Sequence, residues 1–138
     1  MSEKKVEQNY NHLIIDAFEC NQSSLADYRL VQKVLEELPS ILEMKIISGP
    51  HVIDYKDCEE IDQGVTGVVV IAESHLSIHT YPNRRKLHAD IFSCKEFSNK
   101  EAIGYFLRHF NPVTICVQGI HRPIGSYNVP QSGIERVL

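Results

Sequence analysis

Nothing in the chain approaches the ~18 consecutive apolar residues of a membrane-spanning helix. Cations are not in surplus either, since 14 Lys and Arg face 18 Asp and Glu for a net charge of -4. Without a basic field, binding to nucleic-acid phosphates is not expected. The four cysteines (Cys20, Cys58, Cys94, Cys116) never fall at C-x-x-C spacing, which argues against a structural zinc site or a disulfide framework. Each is then expected to behave as a small buried hydrophobe. The opening Met-Ser-Glu-Lys-Lys-Val-Glu lacks an apolar signal region, so a cytoplasmic protein is expected. No repeat, low-complexity tract or domain boundary interrupts the chain. Its 138 residues fit a single domain, 1–138, long enough for a core of its own.

What is present reads as strands with helices between them. His12–Phe18 alternates, with Leu13, Ile15 and Ala17 on one face. Asn21-Gln-Ser-Ser is a loop, and Ser24 or Asp27 can cap the helix that follows. Leu30, Val31, Val34, Leu35 and Leu38 recur at helical spacing and predict one apolar stripe ending at Pro39. Met44–Ser48 reads as a short strand stopped by Gly49-Pro50, Val52–Tyr55 as another, and 56–63 as an acidic surface loop. A strand is predicted near Leu87–Ser93. Ser98 with Glu101 forms a capping-box pattern before a helix facing inward through Ala102, Phe106, Leu107 and Phe110. Val113–Val117 is the last strand, and the tail from Gly119 is rich in Gly, Pro and Ser. Tight connections and intervening helices predict an α+β two-layer sandwich: an antiparallel sheet with helices on one face. Val68–Ile71 is apolar on both faces. The bare face therefore needs a cover, most simply a second copy in a two-fold dimer with sheet faces paired.

The organising stretch is Gly64–Pro82. Val65–Ala72 is a β-branched run of strand length, and His75–Thr80 alternates polar and apolar. The junction between them is Glu73-Ser74, with none of the Asn-Gly or Asp-Gly chemistry of an ordinary hairpin. A carboxylate and a hydroxyl make the turn.

His75, Ser77 and His79 share the polar face of the second strand. Along a strand His75 and His79 stand roughly 13 Å apart at ~3.3 Å per residue, so they do not chelate one metal ion by themselves. Ser74 lacks the G-x-S-x-G elbow of a hydrolase nucleophile, and a histidine next to it in sequence does not supply triad geometry. On spacing alone these residues read as hydrogen-bonded strand polars. Cys94 reads as a buried thiol, on the face shared by His88, Asp90 and Phe92.

The string Gly-Val-Thr-Gly-Val-Val-Val-Ile-Ala-Glu-Ser-His-Leu-Ser-Ile-His-Thr-Tyr-Pro closely resembles the self-cleavage region of the prokaryotic S-adenosylmethionine decarboxylases, which use a pyruvoyl group. The resemblance continues through Ala89-Asp-Ile-Phe-Ser-Cys94 and, more weakly, over His12 to Phe110. It implies that the Ser74 hydroxyl attacks the Glu73 carbonyl carbon, with Thr66 serving the oxyanion. His79 would then remove the Ser74 α-proton and expel the Glu73 carboxylate, leaving chains 1–73 (β) and 74–138 (α) in one sheet. The pyruvoyl group so formed would replace pyridoxal phosphate as electron sink, through a Schiff base with the substrate amine. Cys94 matches the family's proton donor, and a thiol with a reference pKa of ~8.5 suits that task. No metal is implied. The product, decarboxylated S-adenosylmethionine, would feed spermidine synthesis.

The departures concern substrate. Asn83 stands where the family has Glu after His-Thr-aromatic-Pro, and Arg85-Lys-Leu-His replaces a Gly-aromatic-Ala-Ala stretch. Cys58–Gln63 lacks the family's upstream aromatic. Tyr81 and Asn83 remain as candidate substrate contacts. S-adenosylmethionine is the expected substrate, with ornithine or arginine as the alternative. A catalytically silent partner subunit is a further alternative, against which the intact Glu73, Ser74, His79 and Cys94 argue.

Overall fold

In the computed structural model, which describes residues 9–123, six antiparallel strands form one sheet in the order β2-β3-β4-β5-β1-β6. They are β1 (His12–Phe18), β2 (Lys45–Tyr55), β3 (Gly64–Ala72), β4 (Ser74–Tyr81), β5 (Lys86–Ser93) and β6 (Thr114–Ile120). Three helices intervene: α1 (Gln22–Leu25), α2 (Tyr28–Ile41) and α3 (Asn99–Phe110). The predicted α+β architecture is present. Residues 124–138 of the tail lie outside the described residues.

Local chemistry accounts for the helix boundaries. The Asn21 side chain accepts from the Ser23 and Ser24 amides and starts α1. Asp27 accepts from the Arg29 and Leu30 amides and starts α2. Ser98 accepts from Glu101 N–H and starts α3. Each satisfies donors that the first turn of a helix leaves open. Pro39 does not stop α2, which continues to Ile41 with Pro39 buried inside its last turn. A proline there forgoes a single ladder donor and still presents apolar surface to the core. Nor does Gly49-Pro50 separate two strands: β2 is one strand whose register slips on either side of Ser48, as a bulge allows.

The core lies between the helices and one sheet face. Leu13, Ile15 and Ala17 of β1, Val65, Val69 and Ile71 of β3, Leu76 and Ile78 of β4, and Leu87, Ala89 and Ile91 of β5 are all buried there. Against them pack Val31, Val34, Leu35 and Leu38 of α2 and Ala102, Tyr105, Phe106 and Phe110 of α3. Leu107, expected inward, is 41% exposed, and Tyr105 takes the core position. Helix α2 comes so close at Gly67 that an added Cβ would stand 2.5 Å from Leu35 Cδ1. Of the cysteines only Cys20 is buried; Cys58 and Cys94 are half-buried and Cys116 is exposed. Burial pushes the Cys20 thiol up to about 11. Among the described residues no helix is long and apolar enough to cross a membrane.

The opposite sheet face has no helix over it. It carries Ile53, Tyr55, Val70 and Ile120, each more than a third exposed, beside the half-buried Ile14, Phe18, Val68 and Phe92. His75, Ser77, His79, His88, Asp90 and Asp16 lie on the same face, as the strand registers fix.

Candidate active site

Strands β3 and β4 are joined through Glu73 alone. The hairpin closes with Ser74 at a φ of 122°, a region that L-residues rarely enter and that costs of order 1–3 kcal/mol. Ser74 pairs with Ser93 at the end of β5, which brings the next residue, Cys94, beside the turn. The Cys94 main-chain N–H donates to the Glu73 carbonyl oxygen at 3.2 Å. Ser74 Oγ lies 3.2 Å from His75 Nδ1. The His75 ring meets Phe92 edge-on, with centroids 6.1 Å apart. Phe92 also carries the Arg122 guanidinium 4.1 Å above its ring. Asn11 fixes Arg122 by a reciprocal pair of bonds, Asn11 Nδ2 donating to the Arg122 carbonyl at 2.9 Å and the Arg122 N–H to Asn11 Oδ1 at 2.8 Å.

A second group gathers at the far end of β4. Thr66 Oγ1 and His79 Nδ1 are 2.9 Å apart, because the two residues face each other across β3 and β4. They open on a cavity of about 300 Å³ that Tyr55, Cys58, Asp62 and Tyr81 also line. Arg84 donates to Asp62 Oδ1 from both Nε and Nη2, at 3.1 and 2.9 Å, so this carboxylate already has a cation. Desolvation, then the Asp62, Asp57 and Glu59 carboxylates, push the Cys58 thiol up. Across β5, His88 faces His79 and bonds Asp16 through Nδ1 at 2.5 Å. Asn83 stands apart from this cavity. Its Nδ2 donates to the Glu60 carbonyl at 2.7 Å, and its Oδ1 accepts from Gln22 at 3.3 Å, which ties the acidic loop to the turn after β4. A larger cavity of about 710 Å³, beside Ile103, Gly104 and Leu107 of α3, contains none of these residues.

One copy of the chain therefore brings Glu73, Ser74 and Cys94 together, and separately Thr66, His79 and Tyr81. Ser74 and His79 are five residues apart on one strand, roughly 16 Å at ~3.3 Å per residue. The Ser74–His75 contact agrees with the reading of these residues as hydrogen-bonded strand polars. Two contributors escaped the sequence reading. The Cys94 donor is main chain and carries no side-chain signal. Tyr55 lies upstream of Cys58–Gln63, although its alternation with Ile53 places it opposite Gly64 on the bare face. Among the described residues no three His, Cys, Asp or Glu side chains are grouped to hold a metal ion.

Known proteins match over this whole unit. The family described as S-adenosylmethionine decarboxylase matches residues 11–123. An S-adenosylmethionine decarboxylase proenzyme of Methanococcus aeolicus is 38% identical over 99 residues, 72% of this chain and 80% of its own length. That of Archaeoglobus fulgidus is 34% identical over 102 residues, 73% of this chain and 86% of its own. In fold, the chain resembles the crystal structure of the adenosylmethionine decarboxylase from Aquifex aeolicus with a TM-score of 0.70 at 24% identity, over 90% of this chain and all of that one. The protein is thus a decarboxylase, one of the carboxy-lyases. It belongs to the S-adenosylmethionine decarboxylase family.

Proposed function

We propose that the chain is a self-processing proenzyme that cleaves between Glu73 and Ser74 and then decarboxylates S-adenosylmethionine, yielding decarboxylated S-adenosylmethionine and CO2 for polyamine synthesis. The observation that carries this reading is the Cys94 N–H on the Glu73 carbonyl oxygen. An N-to-O acyl shift places negative charge on that oxygen, and a main-chain donor already aimed there stabilises it without reorganisation. Ser74 supplies the attacking hydroxyl from a backbone conformation whose strain cleavage relieves. These residues fit a pyruvoyl group at position 74. That group supplies a ketone on the chain as electron sink for decarboxylation. In this reading Cys94, whose N–H meets the Glu73 carbonyl, returns a proton to the substrate carbon.

His79 serves this scheme only from a second copy, since its own Ser74 is out of reach. A two-fold dimer that pairs the bare sheet faces covers Ile53, Val70 and Ile120, and it sets the Ser74 end of one protomer over the Thr66–His79 end of the other. The substrate then lies between copies. Tyr55 and Tyr81 offer aromatic faces suited to adenine and to a sulfonium. The Arg84–Asp62 pair leaves less uncompensated carboxylate for a second ammonium, which weighs against ornithine or arginine. The test is to incubate the purified chain, weigh the products and measure CO2 released from S-adenosylmethionine, ornithine and arginine. Two chains, 1–73 and 74–138, the second blocked at its N-terminus, are expected with S-adenosylmethionine preferred. A free N-terminal serine would mean ordinary proteolysis and reject the reading.

A further inference from the structure

We infer that His75 is the general base of the first self-processing step. The inference rests on the reading of Ser74 as the attacking residue. His75 Nδ1 takes the hydroxyl proton as Ser74 Oγ bonds to the Glu73 carbonyl carbon. The resulting imidazolium returns that proton to the Ser74 nitrogen as the C–N bond breaks. One C–O bond replaces one C–N bond, the proton moves from oxygen to nitrogen, and amide becomes ester with no co-reactant.

Several observations converge on this residue. Its Nδ1 lies 3.2 Å from the attacking oxygen, within reach of proton transfer. The other chemistry-bearing groups are committed elsewhere: the Cys94 N–H to the carbonyl oxygen, and His79 Nδ1 to Thr66. Elimination, moreover, removes a proton from the Ser74 α-carbon, a different atom from Oγ. Separate bases for the two protons match the separate positions of the two histidines on β4. The Phe92 ring, edge-on to the imidazole, limits how far it swings.

A plain strand polar at this position would hold the serine rotamer and nothing more, and the two roles separate experimentally. Esters are cut by hydroxylamine at mildly alkaline pH and amides are not, so the state of the junction can be read by mass. In a His79→Ala background, the elimination is blocked and ester accumulates. Adding His75→Ala or His75→Asn to that background is expected to slow ester formation by about 10²-fold, a typical contribution of a positioned base. The Asn amide keeps a hydrogen-bonding group near the Nδ1 position yet cannot carry the proton. Free imidazole is expected to restore ester formation in the Ala variant. Ester formation in His75→Asn at the parent rate overturns the assignment, and so does loss in both variants without imidazole rescue. If the unmodified chain cleaves, either result rejects this inference alone. If the unmodified chain never cleaves, the self-processing reading falls and takes this inference with it.

Discussion

The main-chain N–H of Cys94 donates to the carbonyl oxygen of Glu73 at 3.2 Å, so the backbone of this residue meets the cleavage junction, while its thiol is the proton donor of the proposed decarboxylation. The two functions should therefore separate. Cys94→Ala keeps the N–H and is expected to cleave, while losing most decarboxylation. Cys94→Pro removes the donor and is expected to slow cleavage by about 10²–10³-fold, as loss of one oxyanion donor does. Ser93 is already extended, so it accepts a following proline. Intact-mass time courses of both variants decide the matter; equal cleavage in the two would discard the backbone donor.

Thr66 and His79 form their own pair 2.9 Å apart, a strand's length from Ser74. If each catalytic centre draws on two copies, inactive variants should complement. Ser74→Ala cannot cleave, and His79→Ala should stall before elimination. Co-expressed, the two give mixed dimers in which intact Ser74 meets intact His79, and the Ser74-bearing chain should be processed. No cleavage in isolated mixed dimers would show that the centre lies within one copy.

The sheet was legible because its signals are side-chain patterns. β1 and the β3–β4 pair follow from alternation and β-branched runs, and α2 and α3 from apolar stripes and short polar caps. What escaped depends on tertiary context. Pro39 stays helical because its ring has a core to enter, and Tyr105 displaces Leu107 because its hydroxyl donates to Glu37 at 2.8 Å while its ring is buried. At the site, the string around Ser74 was readable as a whole. The separation along β4 was also legible, from the rise per residue. What was not legible is that Cys94 N–H joins the Ser74 end, since that contact comes from the β4–β5 register and a main-chain group.

Close approach of α2 to β3 depends on Gly67. A Cβ there would stand 2.5 Å from Leu35 Cδ1 and 3.3 Å from Val52 Cγ2. Gly67→Val is expected to destabilise the fold by about 1–3 kcal/mol, the usual range for overpacking a core. Urea midpoints at unchanged slope provide the measurement. An unaltered midpoint would show that α2 shifts freely.

On α3, the His109 ring lies tilted against Tyr105 with centroids 4.2 Å apart. Burial, then the Lys33 charge, hold its pKa below the ordinary value of 6.5. The unfolded chain thus takes up this proton before the folded one as pH falls. Stability from His109 is complete above about pH 6.5 and declines below it until the folded form also protonates. His109→Gln is expected to flatten the stability profile between about pH 7 and 5, measured by urea unfolding at each pH. A profile as steep as that of the parent would remove His109 as a contributor.

In the proposed function substrate choice turns on the cavity at His79, whose aromatic linings are Tyr55 and Tyr81; Asn83 lies outside it, engaged with the Glu60 carbonyl. Stacking of a base on an aromatic side chain is typically worth ~1–3 kcal/mol by alanine substitution. Tyr55→Ala is therefore expected to lower kcat/KM for S-adenosylmethionine by about tenfold or more, chiefly through KM, because stacking holds the adenine equally in ground and transition states. Cleavage at Glu73–Ser74 should proceed at the parent rate, since the adenine takes no part in it. Ornithine and arginine have no base to stack, so their kcat/KM values should barely move. The informative quantity is the ratio of kcat/KM values before and after substitution. If all three substrates fall together, Tyr55 shapes the cavity without reading the adenine. If ornithine or arginine already exceeds S-adenosylmethionine by more than about tenfold in the parent chain, a transition-state preference of roughly 1.4 kcal/mol, the departures at Asn83 and 85–88 are the better guide to the substrate.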